Sequence, residues 1–456
     1  MHAECAQKSE IVLGSLLVVR SAFLPKTILA CFPPRCRSIR LSIFSSLAAI
    51  LSLFCMAAPA DLGAAEFRVQ PGVMLSEEYN DNIYLTPENQ TDDYITTASP
   101  SLRLFYNAPF WDWDVNYRYL YRYYAITVDN TDGSHKTDTS HTLSLVNRNR
   151  IVRDALFLDV RDDYTRVSLD VTRDFTQESN VVNQSDRNML IVNPHVVLRP
   201  TSQMTVTTGY TYQDTWYEDT AAINSTDHIG SIDMTQELSP RSSLIAGYKY
   251  TDDENDIGWY TRHDVYLGQH YDYADSSRLA GRIGNSWFDF AWTTPASQIF
   301  WDLSFTHRYR TMTIVYDTGL RLLPDPMRVL RREDRYVATV RRDVERTSLM
   351  LSGGMRQYRD VETKHLETTS YRVEGSVGHA ITTSSKIMLN AAVERLVDER
   401  IQQETDRYLT GARYEYALRD NLTFALDYRW SNVYSAEVYS VNYYNNRYAV
   451  ELRMTF

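Results

Sequence analysis

At 456 residues the chain holds 33 Tyr, 8 Trp and 15 Phe beside 17 Gly and 14 Pro, and its mean hydropathy is −0.39. The length allows two or three soluble domains, but a sequence rich in tyrosine and yet polar on average suits strands whose side chains alternate between lipid and water. A formal charge of −11 argues against nucleic-acid binding, and nothing beyond the N-terminal region approaches the roughly 18 consecutive apolar residues of a spanning helix.

Residues 1–65 read as an N-terminal extension and signal peptide. Arg35, Arg37 and Arg40 precede the apolar run Leu41–Met56, and small residues follow, with cleavage sites after Ala60 or Ala65. A charged region, an apolar core and a small-residue site make a secretory signal. A membrane anchor is the rival reading, disfavoured by the shortness of the run. Phe54 directly before Cys55 argues against lipoprotein processing, and a start codon assigned too far upstream would explain residues 1–34. All four cysteines, Cys5, Cys31, Cys36 and Cys55, lie in this region. The remainder therefore has no disulfide framework, thiolate nucleophile or Cys-based zinc site. Six basic and three acidic residues go with the segment, leaving 41 basic and 55 acidic residues and a charge of −14.

From residue 66 to 456 the chain reads as hairpins. In Trp111–Ala125 one face carries Trp111, Trp113, Val115, Tyr117, Tyr119, Tyr121 and Tyr123, and the other Asp112, Asp114, Asn116, Arg118, Leu120, Arg122 and Tyr124. Ile299, Trp301, Leu303 and Phe305 oppose Asp302, Ser304, Thr306 and Arg308 in the same way, and Leu422, Phe424, Leu426, Tyr428 and Trp430 oppose Thr423, Ala425, Asp427, Arg429 and Ser431. Only a strand separates such residues cleanly. The apolar face is loaded with Tyr and Trp rather than Val, Ile and Leu, which favours a membrane barrel over a soluble sandwich.

Short links (Asn107–Phe110, Asn147–Arg153, Arg199–Ser202, Ser239–Ser242, Ala274–Ser277, Val344–Thr347, Arg419–Asn421) alternate with longer polar ones (Asn80–Asp93, Asp129–Lys136, Val171–Ser185, Asp252–Gly258, Leu322–Glu333, Val397–Thr405). That asymmetry is the one between periplasmic turns and extracellular loops. The expected fold is all-β, a transmembrane antiparallel up-and-down barrel of about 20 strands (roughly 16–20, because segments 260–290 and 311–342 alternate poorly). No plug domain is expected, since the first strand begins close to the cleavage site. Val171–Ser185, the longest link, is the one expected to fold inward. At the C-terminus Tyr448, Val450, Leu452, Met454 and Phe456 share one face and the chain stops on the aromatic, the pattern of an assembly signal read by the barrel-insertion machinery.

The stretch Glu78–Leu104, with Tyr-Asn-Asp-Asn-Ile at 79–83, Asp-Asp-Tyr-Ile-Thr at 92–96 and a following Ser-Pro strand, resembles the start of the β-barrel porin 2 family. The likeness extends loosely over the remaining Tyr-rich hairpins. The resemblance implies an outer-membrane porin associated with exopolysaccharide or exosortase-linked systems, and so a role in polysaccharide export beside a periplasmic export component.

If the aromatic face meets lipid, Arg118, Arg122, Asp302, Arg308, Arg413, Glu415, Asp427 and Arg429 face the lumen, since Arg on the lipid face costs ~2–4 kcal/mol near the midplane. They either brace the wall as ion pairs or form a track for a charged or hydroxyl-rich solute. Asn80, Asp81, Asn82, Asp92 and Asp93 could ligate calcium or simply form a polar loop, and no metal or cofactor is assigned. Gly-x-Ser-x-Gly, His-Glu-x-x-His and phosphate-loop patterns do not occur, and Asp253 and Glu254 near His263 read as loop polarity, so no enzyme is expected. The partners expected are outer-membrane lipid and lipopolysaccharide. The function expected is a porin-like channel, a polysaccharide conduit in particular, against a general diffusion porin or a structural assembly barrel.

Overall fold

The structure, a computed structural model, describes residues 65–126, 137–172, 178, 182–291, 293–438 and 441–456. The expected signal segment and the link Asp129–Lys136 lie outside the described residues, as does any part of the no-plug expectation that concerns residues before Ala65.

Among the described residues, twenty strands follow one another. The first six are β1 (Glu66–Asn80), β2 (Asp93–Ala108), β3 (Trp111–Tyr124), β4 (Thr137–Val152), β5 (Leu156–Ser168) and β6 (Gln184–Thr201). Then come β7 (Met204–Tyr217), β8 (Ser225–Ser239), β9 (Ser242–Asn255), β10 (Gly258–Ala274), β11 (Ser277–Phe290), β12 (Ala296–Tyr309) and β13 (Met312–Asp325). The rest are β14 (Arg328–Val344), β15 (Thr347–Asp360), β16 (Leu366–Ala380), β17 (Ser385–Asp398), β18 (Gln403–Arg419), β19 (Leu422–Tyr434) and β20 (Tyr443–Thr455). Each pairs antiparallel with the next, and β20 returns to pair with β1 from Gly72↔Thr455 to Asn80↔Arg447, so the sheet closes on itself. At ~4.8 Å between strands and a tilt of about 40°, such a wall of 20 strands is roughly 40 Å across between backbones.

The seam between first and last strand is fastened at both ends. At one end the Phe456 N–H donates to the Pro71 carbonyl at 2.9 Å. At the other, the Tyr-Asn-Asp-Asn-Ile stretch acts as a clasp. Asn82 Nδ2 donates to the Thr86 and Tyr444 carbonyls at 2.8 and 3.0 Å, and Asn445 Nδ2 donates to Asn80 Oδ1 and the Asn82 carbonyl at 3.0 and 2.7 Å. Asp81 accepts from the Asn446 backbone and side chain at 2.6 and 2.7 Å, and Arg447 forks onto Glu78 at 3.0 and 2.9 Å. Asn80, Asp81 and Asn82, weighed above as calcium ligands, are engaged in this clasp.

Facing follows from register. Arg407 on β18 touches Glu178 from the β5–β6 connection, a contact between non-neighbouring parts of the wall that must cross the interior. Its face is therefore the inner one, and the pairing registers carry that face around the barrel. Arg118, Arg122, Asp302, Arg308, Arg413, Glu415, Asp427 and Arg429 all fall on it, whereas Tyr448, Val450, Leu452, Met454 and Phe456 fall on the opposite face. The outer face is where large apolar side chains stand exposed, among them Leu267, Ile283, Ile299 and Val393. Three tyrosines on that face have their hydroxyls bonded to a histidine on the neighbouring strand. Tyr117 pairs with His141, Tyr210 with His228 and Tyr248 with His263, at 2.8, 2.5 and 2.8 Å. A phenol turned towards lipid needs such a partner, because an unbonded hydroxyl in hydrocarbon is costly.

Two expected long links are corrected. Asp252–Gly258 and Leu322–Glu333 were expected as loops, but β9–β10 and β13–β14 turn within two residues, at 256–257 and 326–327. Their polar residues sit in strands that continue the hairpin, where alternate positions serve the inner side. For the outward facing of Leu303 and the inward facing of Ser304, the expected outcome is asymmetric. Leu303→Arg should cost ~2–4 kcal/mol of folding stability in vesicles and Ser304→Arg little, measured by denaturant titration.

Candidate functional site: a lumen narrowed by inward-folded connections

Barrel interiors wide enough to conduct are not filled by wall side chains, so what enters from the connections decides the bore. Here the buried apolar clusters sit where connections meet the inner face. Ile83 of the β1–β2 connection packs on Ile95 and Tyr124, and Leu85 packs with Val433 and Tyr443, joined by Val182 of the β5–β6 connection. Leu169, at the start of that connection, packs on Tyr217 and Ala222. The third intrusion is a hairpin rather than a loop. The β12–β13 pairing ends at Asp302↔Gly319 while β13–β14 continues to Asp325 and β14 stays paired with β15 up to Arg331↔Asp360, so the end of β13 parts from β12 and the tip of the hairpin is free to lean off the wall. Leu322 and Leu330 settle against Tyr260, Phe288, Phe290 and Val361, and the Pro326 carbonyl accepts from the Ile223 N–H at 2.8 Å on the β7–β8 connection.

The β5–β6 connection, expected to fold inward, is anchored by charge. Glu178 and Arg407 side chains are 1% and 2% exposed and meet at 2.5 Å. Arg407 also reaches Glu394 at 2.8 Å, and the Tyr443 hydroxyl donates to Glu178. One guanidinium between two carboxylates is the arrangement that makes a buried ion cluster tolerable. A cavity of about 300 Å³ lies between Val171 and Thr172 of this connection and a wall that includes Arg356, Arg372, Glu374 and Arg407.

The residues singled out from sequence are distributed around the bore rather than gathered. Arg413 contacts Glu415, Glu451 and Asp427 at 2.8, 3.1 and 3.5 Å, and Arg429 pairs with Asp427 at 2.8 Å. Arg122 joins a ladder in which Asp138 is shared with Arg166 at 2.9 and 2.8 Å and Arg166 continues to Asp186 at 2.8 Å. Asp302 lies 3.9 and 3.6 Å from Arg282 and Arg321. Arg118 and Arg308 are exposed on the inner face, with no ion pair among the described residues. Asp253 is on the inner face and His263 on the outer, so the two cannot act together. Glu178, Arg407 and the β13–β14 hairpin were not found by sequence reasoning, because a contact across the lumen leaves no periodic trace.

No protein-family model matches the chain, and no curated protein matches it in sequence. Among solved structures it is similar to a mutant of the ferric enterobactin receptor PfeA from Pseudomonas aeruginosa, at 8% identity and a TM-score of 0.48 over 85% of this chain and 80% of that one. It is also similar to OccAB2 of Acinetobacter baumannii (9% identity, TM-score 0.42, covering 86% and 98%). A loop-deletion form of OmpT, an outer membrane protein of Vibrio cholerae, gives 8% identity and a TM-score of 0.38, covering 86% and 100%.

The protein is a closed, membrane-spanning β-barrel. A closed antiparallel wall with apolar side chains outside and charges inside satisfies its backbone without solvent, the condition for crossing a bilayer with strands. Two substitutions test the site. Glu178→Ala should release the β5–β6 connection and raise single-channel conductance while the barrel stays folded, as judged by migration of the unboiled protein. Asn82→Ala removes clasp hydrogen bonds and should cost about 1–3 kcal/mol, read as a lower temperature of conversion to the unfolded band.

Proposed function

We propose that this barrel is a porin-like channel whose bore is set at its extracellular end by the inward-folded connections, and that it moves a polar solute rather than catalysing a reaction. The observation that carries this reading is the Glu178–Arg407–Glu394 anchor, which holds a connection inside a wall too wide to be filled by its own side chains. A barrel that merely anchored a complex would have no need of a charged strut across its interior.

The finer reading is a conduit for polysaccharide export, working with a periplasmic export component. Its support is the resemblance of Glu78–Leu104 to the β-barrel porin 2 family. A narrowed, charge-lined bore also suits a single extended, hydroxyl-rich chain. In this reading the face Tyr448, Val450, Leu452, Met454 and Phe456 is what the insertion machinery recognises, and lipid and lipopolysaccharide surround the Tyr–His pairs of the outer wall.

Purified protein in planar bilayers tests the channel reading. Stepwise conductance, with transient block by an added extracellular polysaccharide, is the expected result. A folded barrel that never conducts would instead be a structural or assembly barrel, and conductance without block would leave a general diffusion porin.

A further inference from the structure

Where β13 leaves β12, the wall and the inward-leaning hairpin enclose a cavity of about 450 Å³. Four cations line it, Lys249 on β9, Arg262 on β10, Arg282 on β11 and Arg321 on β13, against two carboxylates, Asp264 and Asp302. This excess of positive charge stands out in a chain whose formal charge is −11.

Asp227 lies near Lys249 in the adjoining cavity and Asp233 accepts from the Tyr266 hydroxyl, but the two carboxylates that line this cavity do not neutralise its four cations. Asp264 is taken up by the Ser286 hydroxyl at 2.6 Å and by Arg262 at 3.0 Å. Asp302 is shared by Arg282 and Arg321 at 3.9 and 3.6 Å, near the limit of an ion pair. Arg262 Nε is buried without a hydrogen-bond partner, and Lys249 has no ion pair among the described residues. Cations left unpaired in a partly desolvated pocket raise its affinity for an anion, since their desolvation is already met and an oxyanion supplies the missing acceptors.

The cavity also has an apolar side. The Tyr266 ring lies over Gly247, where a Cβ would come within 2.3 Å of Cζ, and its hydroxyl reaches Asp233. Phe300 lies over Gly284, where a Cβ would come within 2.6 Å of the ring. The two glycines thus let two aromatic rings lie low on the wall, their centroids 6.3 Å apart, with the Arg282 guanidinium 5.5 Å above Tyr266. Leu320, Leu322 and Leu323 of the hairpin close the top.

We propose that this cavity is a binding site for an oxyanion group, carboxylate or phosphate ester, carried on a small polar solute with one apolar face, such as an acidic sugar. Lys249 and the Arg262, Arg282 and Arg321 guanidinium groups take the oxyanion, and Tyr266 and Phe300 take the apolar face of the ring. The site deepens the channel reading, which it rests on for access, by giving the lumen a station selective for anions.

The test is calorimetric titration of the full, folded barrel in detergent with D-glucuronate, glucose 6-phosphate and glucose. Saturable binding of one or both anions and none of glucose is expected. A preference between the two anions tells which oxyanion the site takes. Lys249→Met and Arg321→Met should each weaken binding by about tenfold. Lys249 has no ion pair among the described residues and Arg321 only a long one that Asp302 also makes with Arg282, so both variants should stay folded, which migration of the unboiled protein checks. Failure of both anions to bind, equal binding of glucose, or binding unchanged by both substitutions overturns the site. Because titration needs no current, a barrel that binds glucuronate but never conducts keeps the site and loses the channel. One that conducts without binding either anion does the reverse.

Discussion

In hydrocarbon a backbone N–H or C=O has no partner but another backbone group, so a sheet that crosses a bilayer must have no edge. Everything else in this barrel follows from the β1–β20 pairing that removes the edge. The seam joins segments from opposite ends of the sequence, with the loop-closure cost that long-range pairing carries. It is also where side-chain hydrogen bonds concentrate. Asn80, Asp81 and Asn82 grip Asn445, Asn446 and the Tyr444 carbonyl at one end, and the last residue bonds to Pro71 at the other.

Once the wall is closed, its alternation assigns two chemistries to two solvents. Outside, apolar residues and His-bonded tyrosines meet lipid. Inside, the charges are spent mostly on each other, as in the Arg122–Asp138–Arg166–Asp186 ladder and the Arg413 cluster. Pairs with a solvent-reached partner, such as Arg429 with Asp427, brace the wall but contribute little each. The energetically distinct charges are the dry ones, Arg407 and Glu178, because burial raises both the cost of desolvation and the worth of the pairing. The same logic separates the under-neutralised Lys249–Arg321 cavity from the paired ladders beside it.

The wall was legible in the sequence to a degree that the lumen was not. Period-two patterns in Trp111–Tyr124, Ile299–Tyr309 and Leu422–Tyr434 gave their strands and their facing, because facing depends only on parity and on which face is apolar. Most short turns were placed correctly, since turn chemistry is local; Asn147–Arg153 is the exception, because β4 runs on to Val152 and the turn is 153–155. Leu322–Glu333 was misread because a polar stretch at a strand end looks the same whether it loops out or continues as a hairpin leaning inward. What distinguishes the cases is the meeting of Leu322 and Leu330 with Tyr260 and Phe288, residues brought together only by closure. Glu178 was invisible for the same reason, whereas the inward path of its connection could be anticipated from length alone.

The facing of the wall can be read directly, because every cysteine in the sequence precedes Glu66 and single cysteines can be placed one at a time in an otherwise thiol-free barrel. Substituting each residue from Leu426 to Ser431 and reacting the protein in liposomes with a membrane-impermeant maleimide should label alternate positions. Asp427 and Arg429 should react, Ser431, buried on the inner face, should react weakly, and Leu426, Tyr428 and Trp430 should stay protected by lipid. Uniform labelling along the segment, or labelling of the tyrosine-bearing positions instead, would contradict the account.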